Sequence, residues 1–552
     1  MDWVDQTNER YQRELMGFSL DDELSLGHPV RMFEEVLRRL DLQPLEQNYS
    51  PGLGRPAIHP RVLAKVLLWG MMTRVRASRK LEVALQDNIP FRWLTGKLQI
   101  DHSTLSAFRK VRHQELRRYF TEVVLLGRDL GLVSFEEQAF DGTKTRANNQ
   151  RHGSRTLAEL QAEKAEIEKK FDEWEAAAQA EDARDKAASL FPTELSAESV
   201  KSQSPWPKEL AKLENRQQAI DKALAEIQRA TAAGEKVPER IPMTDPESRI
   251  MPNKEGGFAP NYTPVNLVDV KSGFIVECDV ANTPSDDGLM LPMIAKVQQT
   301  FGPAAKPKKM LGDGAFSGGH NLHQLEAADI ACYSPTETAD PTNHPAQRAD
   351  LSQPVSAEQL AKLPLQNRPH AKKLPEGARQ EFTKAAFVFN KEADTYHCPQ
   401  GKTLIAHKYD KYEYRSDKTQ PPIIRRRYES NPIDCAECPL KKLCLPAKSQ
   451  HRTVSRDQYE EVRERHATRM AQPESAELYK KRSHACETPN AFIKENLGLR
   501  QYLLRGRAGV KQEHLLAAIV HNVRRLMTYL GNLANSRAGP AAVVSPPPAA
   551  SG

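Results

Sequence analysis

Three carboxylate residues occupy positions from which they could bind metal together. Asp141 closes a short predicted strand that reads Gln-Ala-Phe-Asp, and Asp313 closes another that reads Lys-Met-Leu-Gly-Asp. A glycine follows each aspartate, so either one alone would be interpreted as a turn residue. Glu487 belongs to a helical stretch seven residues before Lys494. On a continuous helix that spacing places the acid and the base on one face.

Carboxylate oxygens, together with water and substrate phosphate, are preferred ligands of Mg²⁺. Two such ions about 4 Å apart can activate the attacking oxygen and stabilise the leaving oxygen of a phosphodiester. Adjacent strands of one sheet would bring the two aspartates together, and a packed helix would supply the glutamate. Four other acids near these strands are interpreted as structural or supporting groups: Asp269, Asp279, Asp286 and Asp287. We interpret His484 as a surface or packing residue, because metal-bound water makes a general base unnecessary.

Four of the seven cysteines form a second constellation: Cys398, Cys435, Cys438 and Cys444. A Cys-x2-Cys pair with two further thiols nearby predicts a closed, structural zinc site, in which His397 or His407 could replace one cysteine. The sparse, odd set of cysteines is not a disulfide framework and indicates a reducing compartment. The nearby run Arg425–Arg427 could contact phosphate or form a solvated basic surface.

The N-terminal segment is predicted to be helical. Residues 60–72 have a wide apolar face, and a second helix begins at Ser78 after a basic turn. A third helix, capped by Asp101 or Ser103, would turn Leu105 and Phe108 inward. Its basic residues would point outward: Arg109, Lys110 and Arg112. Such a unit could be a helix-turn-helix-like DNA reader or a helical domain with a solvated basic face.

The order of the remaining elements predicts a mixed α/β sheet flanked by helices. Apolar residues at 3-4 spacing in 157–174 and 210–227 predict a helical hairpin inserted into it. The predicted divisions are 1–132 for the helical domain, 133–150 for the first core strand, 151–240 for the hairpin insertion, 241–334 for the rest of the core, 335–455 for the zinc-binding insertion, 456–535 for the C-terminal helices and 536–552 for a disordered tail.

Charge and hydropathy narrow the class of protein. Lys and Arg outnumber Asp and Glu by 79 to 72, a formal net charge of +7, which fits a polyanionic partner. The sequence contains no run of 18 apolar residues, and its first residues do not form a signal peptide. We therefore expect a cytoplasmic protein that does not enter a membrane.

Taken in order, these motifs resemble the DDE transposases of bacterial insertion sequences, which have a ribonuclease H-like catalytic domain. The resemblance extends over nearly the whole chain, and the cysteine cluster is similar to that of a subgroup with a zinc-binding insert. The motifs that carry it are Gly54-Arg-Pro-Ala-Ile-His-Pro, Ser78-Arg-Lys-Leu-Glu, Asp101-His-Ser-Thr-Leu-Ser-Ala-Phe-Arg, Asp141-Gly-Thr-Lys, Gly312-Asp-Gly-Ala-Phe, Tyr479-x2-Arg482, Glu487, Lys494, Leu504-Arg-Gly and Asn522.

The resemblance implies that Asp141, Asp313 and Glu487 bind two Mg²⁺ or Mn²⁺ ions. These ions would cut the DNA at the terminal inverted repeats and drive a 3′ hydroxyl into target DNA. It also implies that a dimer or higher oligomer acts on nucleoid DNA. Further residues would contact the end DNA or position the glutamate: Tyr479, Arg482, Lys494 and Arg505. The alternative is a transposase-derived DNA-binding protein without cleavage activity.

One departure from the family pattern lies beside the glutamate. Thr488 stands between Glu487 and Pro489, whereas the proline is expected directly after the glutamate. A proline at this position predicts either a kink in the helix or the start of a new one.

Overall fold

The structure is a computed structural model. It describes residues 5–12, 19–41, 57–111, 113–150, 153–188, 208–235, 237–253, 256–285, 288–368, 371–376, 379–414, 422–446 and 448–538. Among these residues, none of the helices has the length and apolar character of a bilayer-spanning segment.

The N-terminal part is helical, as predicted. Its helices are α1 (Pro29–Arg38), α2 (Pro60–Met72), α3 (Ser78–Asp87), α4 (Ile89–Thr95), α5 (His102–Val111) and α6 (His113–Asp129). Asp101 caps α5, because its Oδ1 accepts hydrogen bonds from the backbone N–H groups of Ser103 (2.8 Å) and Thr104 (2.9 Å). Leu105 and Phe108 are buried, as predicted. The first residues of the motif that begins at Gly54 lie outside the described part of the chain.

The middle of the chain forms the central sheet and the helical hairpin. Its elements are β1 (Glu137–Gly142), β2 (Thr145–Arg146), β3 (Ser154–Arg155), α7 (Leu157–Ala188), α8 (Lys208–Ala232), β4 (Ile241–Pro242), β5 (Arg249–Pro252), β6 (Phe258–Asp269), β7 (Ile275–Ala281), α9 (Met290–Phe301), β8 (Lys309–Leu311), α10 (Gly319–Ala327) and β9 (Ala331–Tyr333). The main strands lie in the order β7-β6-β1-β8-β9, and β2 and β5 also pair with the long strand β6.

The two halves of this sheet differ in strand direction. The pairs β7–β6 and β6–β1 are antiparallel, whereas the pairs β1–β8 and β8–β9 are parallel. Parallel neighbours need crossover connections, and α10 supplies the one between β8 and β9. The prediction of a mixed α/β core is therefore confirmed.

Helices α7 and α8 pack against each other through a small apolar seam. Its buried residues include Leu160, Ile167, Ile220 and Ile227, all at positions predicted from the 3-4 spacing. Trp174 is 42% exposed, so the seam ends before the tip of the hairpin. At the base, β3 and β4 pair antiparallel and join the hairpin to the sheet region.

Residues 335–457 contain a second sheet with its own core. The elements of this segment are α11 (Ala357–Lys362), β10 (Leu365–Asn367), β11 (Gln380–Phe382), β12 (Val388–Asn390), β13 (Thr395–His397), β14 (Thr403–Ala406), β15 (Lys411–Glu413), β16 (Ile423–Ser430), α12 (Pro432–Ala436), α13 (Lys441–Cys444) and β17 (Thr453–Asp457). The strand order is β12-β13-β14-β16-β15, with β17 also paired to β16. Leu404 and Tyr428 lie in its buried cluster, which is separate from the cluster under the central sheet.

The C-terminal part returns to the central sheet. It consists of α14 (Glu460–Met470), α15 (Pro473–Ala491), a π-helical turn (Phe492–Asn496) and the long helix α16 (Gly506–Ala538). Helix α16 packs against α2, α6 and β7. Asn522 on α16 accepts a hydrogen bond from the backbone N–H of Ile275 and donates one to its carbonyl, which satisfies the edge of β7. One buried cluster thus runs from the N-terminal helices through the sheet to α16.

Candidate active site

Asp141 and Asp313 lie at the same edge of the central sheet. Strands β1 and β8 are parallel, and Ala139 is opposite Leu311. Each aspartate follows its alanine or leucine by two residues, so the two acids extend from equivalent positions at the carboxyl ends of neighbouring strands. We call this region, together with Glu487, the acid edge.

Helix α15 packs across these strands. Its residues Leu478, Ala485 and Cys486 form a buried apolar cluster with Ala139 and Leu311. The helix is therefore held directly over the strand ends that carry the two aspartates, and Glu487 is the next residue along the chain.

The three acids lie near a common buried thiol. Burial raises the pKa of Cys486 to about 12, and the carboxylates of Asp141, Glu487 and Asp313 contribute to that rise. All three acids are therefore near the same side chain, although they are up to 346 residues apart in sequence.

One face of α15 meets Asp141. Arg482, Cys486 and Asn490 are spaced by four residues and share that face. Arg482 donates from Nη2 to Oδ1 of Asp141 (3.0 Å), and Asn490 donates from Nδ2 to Oδ2 (2.9 Å). Both carboxylate oxygens of Asp141 therefore accept a hydrogen bond from the helix.

Arg482 lies near both aspartates. Burial alone lowers its pKa, but Cys486, Asp141, Tyr479 and Asp313 outweigh burial and raise the pKa above its ordinary value. Burial raises the pKa of the half-buried Tyr479, whose other neighbours are Arg482 and Asp313. Tyr479 and Arg482 thus lie at the acid edge. That they contact the end DNA or position Glu487 stays a prediction.

The segment from Glu487 to Lys494 differs from the sequence-based prediction. Helix α15 continues through Pro489 to Ala491, so no new helix begins at the proline. Lys494 lies in the π-helical turn that follows, and the predicted seven-residue spacing on one α-helix does not apply. The ammonium of Lys494 donates to Thr143 Oγ1 and to the carbonyl of Lys144 (2.9 Å). Both acceptors lie within three residues of Asp141 on the chain. Glu487 itself is exposed.

The oxygen donors of the acid edge suit a hard divalent cation such as Mg²⁺. In the described part of the chain, no group of three or more His, Cys, Asp or Glu side chains is arranged to hold a metal ion. The carboxylate of Asp141 instead binds Arg482 and Asn490, and Asp313 Oδ1 accepts from the backbone N–H of Ala315 (2.9 Å). The residues fit the ion in chemistry, and the two aspartates share one edge.

The four cysteines of the second constellation lie in one neighbourhood, which we call the thiol cluster. Cys398 follows β13, Cys435 lies in α12, Cys438 follows α12 and Cys444 ends α13. Burial raises the pKa of Cys444 to about 12, and the other three thiols contribute to that rise. The backbone N–H of Lys402 donates to Cys398 Sγ (3.3 Å). Thiolates are suitable zinc ligands, so the donor set fits zinc in chemistry, and zinc binding stays a prediction.

The other groups near the thiol cluster make their own contacts. His397 lies near Arg348 and Asp350, and the ring of His407 contacts the backbone of Tyr409. Within the arginine run, Arg425 pairs with Glu413 (3.0 Å) and Arg426 with Asp394 (3.2 Å). These pairs favour the interpretation of the run as a basic protein surface.

The prediction that Arg109 faces outward is wrong. Its side chain is 8% exposed and donates to the carbonyl of Arg76 (3.2 Å) and to Ser78 Oγ (3.4 Å). Arg109 directly follows the buried Phe108, and the α2–α3 turn covers it. Lys110 is exposed, and Arg112 lies outside the described residues.

The basic turn between α2 and α3 is also used within the protein. Arg74 donates to the carbonyls of Glu495 and Asn496 in the π-helical turn, and Arg76 pairs with Glu513 on α16 (2.9 Å). Arg505 is exposed and lies near Asp245.

The competing acids have structural partners. Asp269 accepts hydrogen bonds from the backbone N–H groups of Ser134, Phe135 and Ser272, so it organises two turns. Asp279 pairs with Lys296 and Lys511. Asp286 and Asp287 lie outside the described part of the chain.

Sequence reasoning did not identify three polar residues connected to Asp141: Asn490, Asn266 and His514. Asn490 lies eight residues after Arg482, and this helical spacing could have indicated it. Asn266 lies opposite Asp141 across the β1–β6 pair, and that register cannot be read from the sequence.

Comparison with family models gives two matches. Residues 18–111 match a Transposase domain (DUF772), and residues 397–527 match a Transposase DDE domain. The second match contains Glu487 and the thiol cluster, whereas Asp141 and Asp313 lie outside both matches. No curated protein matches the chain.

Proposed function

We propose that this chain is a DDE transposase of an insertion sequence, as its two family matches indicate. From this premise, it would bind the terminal inverted repeats of its element, cleave the DNA there and join the 3′ hydroxyls to target DNA. DDE transposases are metal-dependent enzymes that cleave DNA and transfer strands, and they typically use divalent ions such as Mg²⁺. We further propose that the catalytic domain is ribonuclease H-like, and the mixed order of the central sheet supports this.

One observation carries the proposal. Asp141 and Asp313 extend from equivalent positions on neighbouring parallel strands, under the helix that carries Glu487. These three carboxylates would hold two Mg²⁺ or Mn²⁺ ions, which when bound activate the attacking oxygen and stabilise the leaving one.

The cations beside the acid edge would act on the DNA. Arg482 lies near both aspartates, and the ammonium of Lys494 binds Thr143 and Lys144 just past the end of β1. We expect both to contact the phosphate next to the scissile bond. An arginine fork suits phosphate oxygens in geometry as well as charge. Tyr479 would line the same surface, and Arg505 would contact end DNA further away.

The N-terminal helices would bind the inverted repeat. Exposed basic residues on α3 and α5 would contact the DNA backbone: Arg79, Lys80 and Lys110. Arg112 belongs to the same predicted surface, and the buried Arg109 is excluded from it. We expect two or more copies of the chain on the paired ends.

We assign a structural zinc ion to the thiol cluster. Cys398, Cys435 and Cys438 each contribute to the raised pKa of Cys444, and this supports the assignment because the four thiols must then lie near one another. A set of four thiolates leaves no position for water, so the ion would stabilise the insert and take no part in cleavage.

The experiment incubates the purified chain with Mg²⁺ and labelled DNA taken from both sides of its coding region. We expect nicks at the ends of inverted repeats there, followed by strand transfer into a target plasmid. Binding without nicking would instead favour the DNA-binding derivative.

The site assignment has its own test. Glu487→Gln should abolish nicking while DNA binding persists. Glu477→Gln is the matched control, because Glu477 is an exposed acid on the same helix and pairs with the exposed Lys480. Equal activity in both variants would show that Glu487 is not part of the site.

A further inference from the structure

A chain of side-chain hydrogen bonds leads from Asp141 to helix α16. Asn490 donates from Nδ2 to Asp141 Oδ2 (2.9 Å), and Asn266 donates from Nδ2 to Asn490 Oδ1 (3.0 Å). His514 Nε2 lies 2.9 Å from Asn266 Oδ1. The four residues come from β1, α15, β6 and α16, so the chain joins the principal elements around the acid edge.

The charge of Asp141 fixes the direction of every bond in this chain. An ionised carboxylate only accepts, so Asn490 must present its NH₂ group to Asp141 and its oxygen to Asn266. Asn266 must then present its own NH₂ group to Asn490 and its oxygen to His514. His514 therefore donates from Nε2, and every dipole in the chain points toward the carboxylate.

The far end of the chain is buried. Asn266 is 1% exposed and His514 is 2% exposed. Within the described residues, Nδ1 of His514 is buried and makes no hydrogen bond, which agrees with a neutral ring that donates from Nε2 alone. Burial also lowers the pKa of His514 to about 4. A buried hydrogen-bonded network of this kind holds its members in one orientation.

We propose that Asn490, Asn266 and His514 are positioning residues that fix the orientation of the Asp141 carboxylate for metal binding. The inference rests on the proposed function, in which Asp141 is a metal ligand. Asn490 would hold Oδ2, so that Oδ1, which Arg482 contacts, is the oxygen directed toward the cation. Hydrogen-bonded partners of a metal-ligating carboxylate commonly matter to metal affinity about 10- to 100-fold.

The test measures Mn²⁺ binding to the full chain by calorimetry, without DNA, and nicking as a function of Mg²⁺ concentration. Asn490→Leu should raise the Kd for Mn²⁺ about 10- to 100-fold. His514→Phe should raise it less, because two residues separate it from Asp141. His514→Gln and Asn490→Gln retain a donor and should be closer to the original affinity. In each variant the half-saturating Mg²⁺ concentration should rise more than the maximal rate falls.

His521 provides the matched control. It lies on the same helix, is 4% exposed and has Nε2 2.9 Å from the carbonyl of Gly273, away from the acid edge. His521→Phe should lower the unfolding temperature and leave the Kd for Mn²⁺ unchanged. Equal weakening by His521→Phe and His514→Phe would overturn the inference, since a general loosening of α16 would explain both.

A second comparison separates this inference from the proposed function. If Asp141→Asn abolishes Mn²⁺ binding while folded Asn490→Leu binds normally, the positioning role is wrong and the metal site stands. If Asp141→Asn itself binds Mn²⁺ like the unmodified chain, the metal site is wrong and the positioning role fails with it. The thermal unfolding transition of each variant establishes that it is folded.

Discussion

The acid edge and the thiol cluster are built in different ways. At the acid edge, strand register sets the two aspartates at equivalent positions, and a core shared with the N-terminal helices and α16 supports them. In the thiol cluster, three of the four cysteines lie in or beside two helices of five and four residues, over a smaller separate core. A large core orders the first region, whereas the second depends on two short helices and a smaller core.

A bound ion would contribute differently to the two regions. At the acid edge, hydrogen bonds from Arg482 and Asn490 already hold Asp141, so an ion would add chemistry more than order. In the thiol cluster, a tetrahedral ion would connect segments that short helices cannot hold in place on their own. We therefore expect changes at the acid edge to affect activity and changes at the thiol cluster to affect stability.

The largest expected effect is that of removing the ligands of the zinc ion proposed for the thiol cluster. A structural zinc site contributes about 10–16 kcal/mol in small zinc domains, so Cys435→Ser combined with Cys438→Ser should unfold the insert. Limited proteolysis should find cleavage confined to residues 335–457. Calorimetry should find an unchanged unfolding transition for the central sheet. Cys332→Ala, in the sheet core, is the control that leaves the proposed zinc ligands intact. One shared transition for both regions would contradict their independence.

Asp141→Asn should have the second largest effect, on activity alone. Loss of a metal ligand removes several kcal/mol of transition-state stabilisation, so nicking should fall about 10³-fold. The unfolding temperature should fall only slightly, because the amide oxygen still accepts a hydrogen bond from Arg482 and one bond, that from Asn490, is lost. Asp434→Asn, beside the thiol cluster and paired with Lys402, is the matched control and should nick normally. Comparable rates for the two variants would remove Asp141 from the site.

A pair of leucine truncations compares the two cores. Leu311 and Leu404 are each 0% exposed, the first under the acid edge and the second in the insert. Each Leu→Ala change should lower the free energy of unfolding of its own region by about 2–5 kcal/mol. Leu311→Ala should also slow nicking, because the cavity lies beneath the strand end that carries Asp313. Denaturant titrations monitored separately in each region would test this, and an effect of Leu404→Ala on the central sheet would contradict it.

The smallest effect concerns acid sensitivity of the central core. Burial lowers the pKa of His521 to about 3, below the ordinary value of 6.5. The unfolded chain therefore binds more protons than the folded one between these values, and stability falls as the pH drops from about 6.5 toward 3. His521→Gln removes this contribution. As the pH falls, the free energy of unfolding of the variant should therefore decrease less steeply than that of the unmodified protein, by up to about 1.4 kcal/mol per pH unit. Parallel curves for the two proteins between pH 6 and pH 4 would contradict the assignment.

Local sequence signals predicted much of the fold. The helix from Pro60 to Met72, the capping role of Asp101 and the strands that lead to Asp141 and Asp313 all follow from spacing, caps and turns. Each of these features depends on residues close together in the chain.

Other features depend on partners far away in sequence. Arg109 has the charge and position of an exposed residue, and only the packing of the α2–α3 turn over it makes it buried. The pairing of Arg482 with Asp141 joins residues 341 apart, and the bond from Asn266 to Asn490 depends on the register of β6. Helix continuation through Pro489 depends on packing over the sheet, which overrides the local preference for a break.

The position of α16 has a consequence for synthesis of the protein. This helix closes a core whose first residues belong to the N-terminal helices, yet it begins only at Gly506. Domains commonly fold in order as they leave the ribosome, at about 5–20 residues per second. Here the nascent N-terminal helices must wait for the sheet and the insert to be made before α16, one of their packing partners, emerges. The acid edge is therefore completed only after α16 has been made, so a truncated translation product that lacks α16 would not carry an assembled acid edge.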